Sequence, residues 1–448
     1  MMRARIFSFL FGVIAASVAS HASAQTAVMK EFVQFPAGAQ GLYWVPDSGP
    51  ISHIAFLAIH RTADFLRHPS TQELPKRGFS VLGMNSRFNN NEESVNWELI
   101  ALDVRAGVRF LRSQPGITKV ILIGHSGGGP STSYYQALAE IGPSYCQGPN
   151  KLTQCSSDQL SGFMPSDRAD GIVFTDAHPG NGVNRVRSLN GSVRSERHPE
   201  RTRPNLNPFS VNNGFNPDGD SVYSADFVKR YTDAQSQRMN NLIETALQIK
   251  ADIEAGRHLP TDNDAFVVYR NSARLPQIST AVQCCTLNPA KLLRDDGTID
   301  ESQIVHTVRV PDPGSREADA SYGGATGAGG SGTMVRNLTS FLSSNAIRST
   351  NSLDGIDWCS SNNSTPCAVG SISVPILVVA AQGHYFIRDG EEIYENSASA
   401  DKDFIVVEGM THGLGNCTAC AAFHGTGPYT NVVLNLWNYV ADWANARF

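Results

Sequence analysis

The sequence predicts an α/β protein: a mostly parallel sheet with helices on both faces and a large inserted cap domain. Three observations carry this expectation. Up to about residue 180, apolar runs of strand length alternate with segments of helical periodicity, the pattern of a covered parallel sheet. The alternation resumes from residue 371, after a polar stretch of about 190 residues, far too long for a loop. Gly124-His125-Ser126-Gly127-Gly128 stands directly between an apolar run and a helical segment, where a strand turns sharply into a helix.

The elements follow in order. Residues 30–47 alternate apolar and polar around Gly38 and Gly41, as an opening hairpin does. The continuous apolar runs 53–59 and 79–84 read as buried strands. Between residues 94 and 112, Trp97, Ile100, Val104, Val108 and Leu111 recur at spacings of three and four, an amphipathic helix closed by Pro115-Gly116. A strand at 120–123, a helix over 130–141 and a strand at 171–174 complete the first part. The later part has a strand at 376–380, a helix from 393 and a strand at 404–407. A terminal helix opened by Pro428 carries Val432, Val433, Leu436, Trp437, Val440 and Trp443.

The stretch 181–370 is rich in Asn, Ser, Arg and Gly, with a long helical segment over 225–253. It reads as the cap, inserted between a first core part (25–180) and a second (371–448). Its run 323–332 has the glycines of a phosphate loop without the Lys-Ser/Thr ending or a leading strand, so a hinge is the expectation. Arg185, Arg187, Arg194, Arg197, Arg201 and Arg203 form a basic cluster offset by Glu196 and Glu200. It reads as a solvated face, with steering of carboxylates as the alternative.

Residues 1–24 read as a secretory signal peptide: Arg3 and Arg5, a short apolar run, then Ala22-Ser23-Ala24 before the cleavage point. The run is too short to span a bilayer, so no stable membrane anchor is expected. The expected location is periplasmic or secreted. A net charge of −5 gives no reason to expect nucleic acid as a partner. Eight cysteines in an exported chain suggest disulfides. Short spacings pair Cys146 with Cys155, Cys359 with Cys367 and Cys417 with Cys420, leaving the adjacent Cys284 and Cys285 unassigned. Neither a metal site nor a cofactor is expected.

A serine on a strand-to-helix turn, flanked by small glycines and facing a helix N-terminus, is placed as a nucleophile is. Phe174-Thr175-Asp176 and Glu408-Gly409-Met410-Thr411-His412-Gly413 follow at later strand ends. In these three motifs and in their order, residues 50–180 and 370–448 resemble the α/β-hydrolase superfamily, and the His412 segment is similar to the G-x-x-H-G of bacterial esterases.

The resemblance implies a serine hydrolase of carboxylic esters with Ser126 as nucleophile, His412 as base and Asp176 as the orienting acid. The sequence departs from the commoner pattern in one respect. Gln382-Gly383-His384-Tyr385 stands where that aspartate would be, so Asp389 and Glu391 remain alternatives to Asp176. The oxyanion donors implied are the backbone N–H groups of Gly127 and Arg61, with Thr62 as substitute for the latter. Arg61 also brings a cation near the cleft, which either favours an anionic substrate group or pairs with Asp64. His125 is expected to point away from the site into neighbouring loops. The expected substrate is a small-molecule ester. An amide or C–C bond hydrolase with the same residues, and a binding protein on a hydrolase scaffold, are the rival readings.

Overall fold

The computed structural model describes residues 25–257, 264–320 and 332–448. The signal-peptide reading of 1–24 and nearly all of the glycine-rich run lie outside the described residues. Ten strands make the principal sheet: β1 (Ala27–Gln34), β2 (Gln40–Pro46), β3 (Ile54–His60), β4 (Ser80–Asn85), β5 (Lys119–His125), β6 (Gly171–Thr175), β8 (Ala290–Leu293), β9 (Ile299–Gln303), β11 (Ile376–Ala381) and β12 (Lys402–Val407). A separate antiparallel pair joins β7 (Ala265–Tyr269) to β10 (Thr333–Asn337). The order across the principal sheet is β1-β2-β4-β3-β5-β6-β11-β12-β8-β9. From β4 to β8 every neighbouring pair is parallel, and antiparallel strands stand at each edge.

The central strands are buried on both faces, which is why they read as continuous apolar runs. Successive side chains still go to opposite sides. Val120 and Leu122 of β5 pack in the cluster with Val104, Val108 and Leu111 of the helix Ile100–Ser113 and with Leu138 of the helix Gly128–Ile141. Ile121 and Ile123 face the other way, into the cluster with Val432, Leu436, Trp437 and Val440 of the terminal helix Val432–Asn445. Parallel strands, joined by covering helices, bring all their C-terminal ends to one rim. Ser126, Asp176 and His412 lie just past three such ends.

The stretch 181–370 has a core of its own. Val183 and Val186 of the helix Asn181–Ser188 pack with Met239, Leu242 and Ile243 of the helix Ala225–Glu254 and with Phe341 and Ile347. The same stretch also supplies β8 and β9, which continue the principal sheet beyond β12. Short and mixed in polarity, these strands carry too little periodicity to be read from sequence. The three short-spaced cysteine pairs form as expected, and Cys284 bonds to its neighbour Cys285.

Trp437 is fully buried between the terminal helix and the sheet. Trp437→Ala should lower the unfolding free energy by about 3–5 kcal/mol, read as a lower urea midpoint at unchanged slope.

Candidate active site

The elbow comes from β5 running directly into the helix Gly128–Ile141. Ser126 takes φ +54, a conformation disfavoured for a residue with a side chain. The turn is closed by Gly129 N–H and His178 N–H, both donating to the Ser126 carbonyl. The flanking glycines are there for space: a methyl group on Gly124 would meet Thr132 Oγ1 at 2.7 Å, and one on Gly128 would meet the Ile59 carbonyl oxygen at 2.4 Å. Gly127 is the N-cap of the helix, so its N–H precedes the first helical turn, where intrahelical acceptors are lacking.

Three side chains form a continuous hydrogen-bonded line. Ser126 Oγ lies 3.0 Å from His412 Nε2, and His412 Nδ1 lies 2.6 Å from Asp176 Oδ2. With Nδ1–H donating to the carboxylate, Nε2 is left as the acceptor for the serine hydroxyl. Asp176 is also at positive φ, +43. Its N–H donates to the Val379 carbonyl at 2.7 Å, and its Oδ1 accepts from Ala381 N–H at 3.1 Å. The acid thus springs from β6 but is pinned to β11.

The alternative acids are engaged elsewhere. Asp389 is buried against Arg187, 2.6 Å from its Nη1. Glu391 accepts from the N–H groups of Leu287 and Asn288 at 2.8 and 2.7 Å.

In the run after β11, where the commoner pattern has its aspartate, His384 comes to the site, a residue assigned no role from sequence. Its Nδ1 stands 2.7 Å from Asp176 Oδ2, and its ring stacks on His412 with centroids 4.4 Å apart. Burial alone would raise the Asp176 carboxyl; His384 and then His412 hold it well below the usual carboxylate range. Burial lowers His384 itself, in spite of Asp176. Asp176, His384 and His412 are close enough to share a metal ion, but His412 commits both ring nitrogens to the serine and the carboxylate.

His125 turns to the backbone of the His412 loop and to His68. Its Nε2 donates to the His412 carbonyl at 2.7 Å, and its Nδ1 lies 3.1 Å from His68 Nε2. Burial, with His412 nearby, brings His125 down to about 3, so it acts as a neutral spacer. On the other side of the loop, Gly409 N–H donates to Gln382 Oε1 at 3.1 Å.

Arg61 lies just past β3 and is buried, but it does not pair with Asp64. Asp64 receives the Leu66 N–H in its own turn. Arg61 Nη2 instead reaches Glu92 Oε1 at 2.8 Å and Asn181 Oδ1 at 3.1 Å. Local turn bonding satisfies the near carboxylate, and the long guanidinium stem reaches the buried one. Thr62 Oγ1 donates to the same Glu92 oxygen. Burial would raise the Glu92 carboxyl, but Arg61, helped by Arg185, Thr62 and Arg336, brings it down to about 2. A methyl group on Gly127 would lie 2.3 Å from Arg61 Nη1, 2.5 Å from His60 Nε2 and 3.1 Å from His178 Nε2. A glycine there makes room for three nitrogen-bearing side chains. Of the predicted arginine cluster, Arg185 and Arg187 are buried, whereas Arg194, Arg197 and Arg201 are exposed.

A parallel sheet with this strand order, a serine elbow after β5 and a histidine loop after β12 decides the architecture. The fold is that of an α/β-hydrolase. No protein-family model and no curated protein matches the chain. Solved structures aligned with it include brefeldin A esterase, a bacterial homologue of human hormone-sensitive lipase, at 12% identity and TM-score 0.38, covering 97% of this chain and 81% of that one. A soluble variant of monoglyceride lipase from Saccharomyces cerevisiae aligns at 11% identity and TM-score 0.38, over 94% and 96% of the two chains. Est1E from Butyrivibrio proteoclasticus aligns at 8% identity and TM-score 0.38, over 94% and 99%.

The lowered Asp176 carboxyl gives stability a pH dependence of defined sign. Unfolded, the group takes up a proton near pH 4; folded, it does so only at lower pH. Its contribution is therefore complete above about pH 5 and is lost as pH falls through and below 4. The urea midpoint should fall more steeply between pH 5 and pH 3 for the wild type than for Asp176→Asn.

Proposed function

We propose that the protein is an exported serine hydrolase that cleaves a carboxylic ester through an acyl-enzyme. The observation that supports this reading is the line Ser126–His412–Asp176, with distances of 3.0 and 2.6 Å, at a helix N-terminus. A free hydroxyl is almost never ionised at neutral pH, and the imidazole removes that barrier.

In the proposed sequence, Ser126 Oγ attacks the ester carbonyl carbon as its proton passes to His412 Nε2. Asp176, held ionised, keeps Nδ1 protonated and stabilises the imidazolium. The carbonyl oxygen becomes an oxyanion and receives the N–H of Gly127 and that of Arg61, pre-set donors at the point where charge develops. The C–O bond to the alcohol breaks, and the alcohol leaves with the proton from His412. Water then gives a proton to His412, attacks the acyl carbon, and releases the acid as the proton returns to Ser126.

Residues 181–370 are proposed as a cap that shapes the substrate cleft, while lending β8 and β9 to the sheet. Four disulfides support export to an oxidising compartment. No described helix is long and apolar enough to cross a membrane.

The test is hydrolysis of nitrophenyl esters of graded acyl length. Ser126→Ala should lose roughly 10⁴-fold or more in kcat, and Asp176→Asn about 10²- to 10⁴-fold, both with folded-state spectra intact. Equal turnover by wild type and Ser126→Ala removes the nucleophile from the proposal. Asp389→Asn should lower the urea midpoint through loss of its Arg187 partner, with kcat per folded molecule retained.

A further inference from the structure

Beside the serine elbow lies more buried positive charge than the described residues neutralise. Arg61, Arg185 and Arg336 are all buried, and Arg185 feels the charge of Arg336, Arg61 and Arg274 against that of Glu92. Contacts join them into one assembly. Arg61 Nη2 bonds Asn181 Oδ1, Asn181 Nδ2 bonds Asn345 Oδ1 at 2.7 Å, and Arg185 Nε reaches that same oxygen at 3.3 Å. Arg336 Nη2 lies 3.8 Å from Glu92 Oε2, whose other oxygen holds Arg61. Arg274 bonds the Tyr385 hydroxyl and donates to Ser188 Oγ at 2.6 Å. Glu92 is the buried carboxylate paired within this group; Glu93, the other acid near Arg336, is exposed.

Several donors of the assembly have no acceptor among the described residues. Arg61 Nε and Nη1, Arg274 Nε and Arg336 Nε are buried without a hydrogen bond. Arg185 hydrogen-bonds the described residues through its Nε alone. His60 and His178 add two neutral donors. His60 Nδ1 accepts from the N–H groups of Thr62 and Ala63, and His178 Nδ1 accepts from Gly180 N–H. In a neutral ring the proton is therefore on Nε2. Burial keeps both rings neutral, with Arg61 acting in the same direction. Both Nε2 atoms and Arg61 Nη1 crowd the same side of Gly127.

Buried guanidiniums without counter-charge are costly, and unfilled buried donors add to that cost. A transient oxyanion neutralises one charge for a moment, which leaves the excess in the resting protein untouched. A ligand with a permanent anionic group removes it throughout binding, and planar guanidinium matches planar carboxylate. We infer that the substrate is an ester carrying a free carboxylate, recognised by the buried cluster of Arg61, Arg185, His60 and His178, with Arg336 and Arg274 supplying background positive charge. This inference rests on the proposed ester hydrolysis and names its substrate class.

The experiment uses two matched ester pairs, followed by pH-stat titration. In one the carboxylate is on the alcohol side, 4-carboxyphenyl butyrate against 4-(methoxycarbonyl)phenyl butyrate. In the other it is on the acyl side, monoethyl glutarate against ethyl valerate. In at least one pair the charged ester should show a kcat/KM about 10- to 100-fold above its neutral partner, and that ratio should fall towards unity in Arg185→Gln. Calorimetry with glutarate and with benzoate supplies a readout independent of turnover and of the variant's folding: one of the two should bind the wild-type protein. Turnover of neutral esters with no charged preference in either pair, and no binding of either anion, overturns the inference and leaves the proposed hydrolysis standing. Anion binding with none of the four esters turned over keeps the anion-binding cluster and removes ester hydrolysis.

Discussion

The site depends on one buried carboxylate. Asp176 leaves β6 at a left-handed backbone position, takes one hydrogen bond from Ala381 at the end of β11, and turns its other oxygen to two imidazoles. A buried carboxylate with less support would neutralise itself by taking up a proton. Here the neighbouring rings and the strand amide hold the charge in place, and the charge in turn fixes which nitrogen of His412 bears a proton. The direction of the hydrogen bond to Ser126 follows from that. Moving the acid to β6 also frees the run after β11, from which His384 supplies a flat surface for the His412 ring.

Much of this frame was legible in the sequence, for identifiable reasons. Central strands such as β3 and β5 are covered on both faces, so they appear as unbroken apolar runs, and the helices against them keep a spacing of three and four. Ser126 and His412 could be found because sharp turns at strand ends require glycines at particular places. Asp176 was legible only as one of several acids, since the choice among them is made by distance across the sheet. Asp389 and Glu391 lie in a helix whose sequence says nothing about Arg187 or the amides of Leu287 and Asn288.

What escaped the sequence is set by long-range packing. β8 and β9 are short and partly polar, and their place beside β12 is decided by pairing more than a hundred residues apart in the chain. Glu92 carries no motif, yet it takes Arg61 away from the adjacent Asp64. His60, His178 and His384 are ordinary histidines in the chain and become notable only where three strand ends converge. The six arginines counted as one cluster divide in the fold. Two go inward to Asn345 and Asp389, and three of the others remain in solvent, a difference governed by the helix Asn181–Ser188 and invisible to a charge count.

The order of these groups along the chain has a consequence for synthesis. Residues 60, 61, 126 and 176 are made in the first half of the polypeptide, whereas His412 lies near its end, beyond β12. A growing chain therefore presents Ser126 and Asp176 well before His412, and before β11, to which Asp176 is pinned, can reach them. Until the final strand docks against β11, the hydrogen-bonded line from Ser126 through His412 to Asp176 is incomplete. The hydrogen-bonded line of three side chains is thus assembled only late in synthesis, with the loop that follows the last strand.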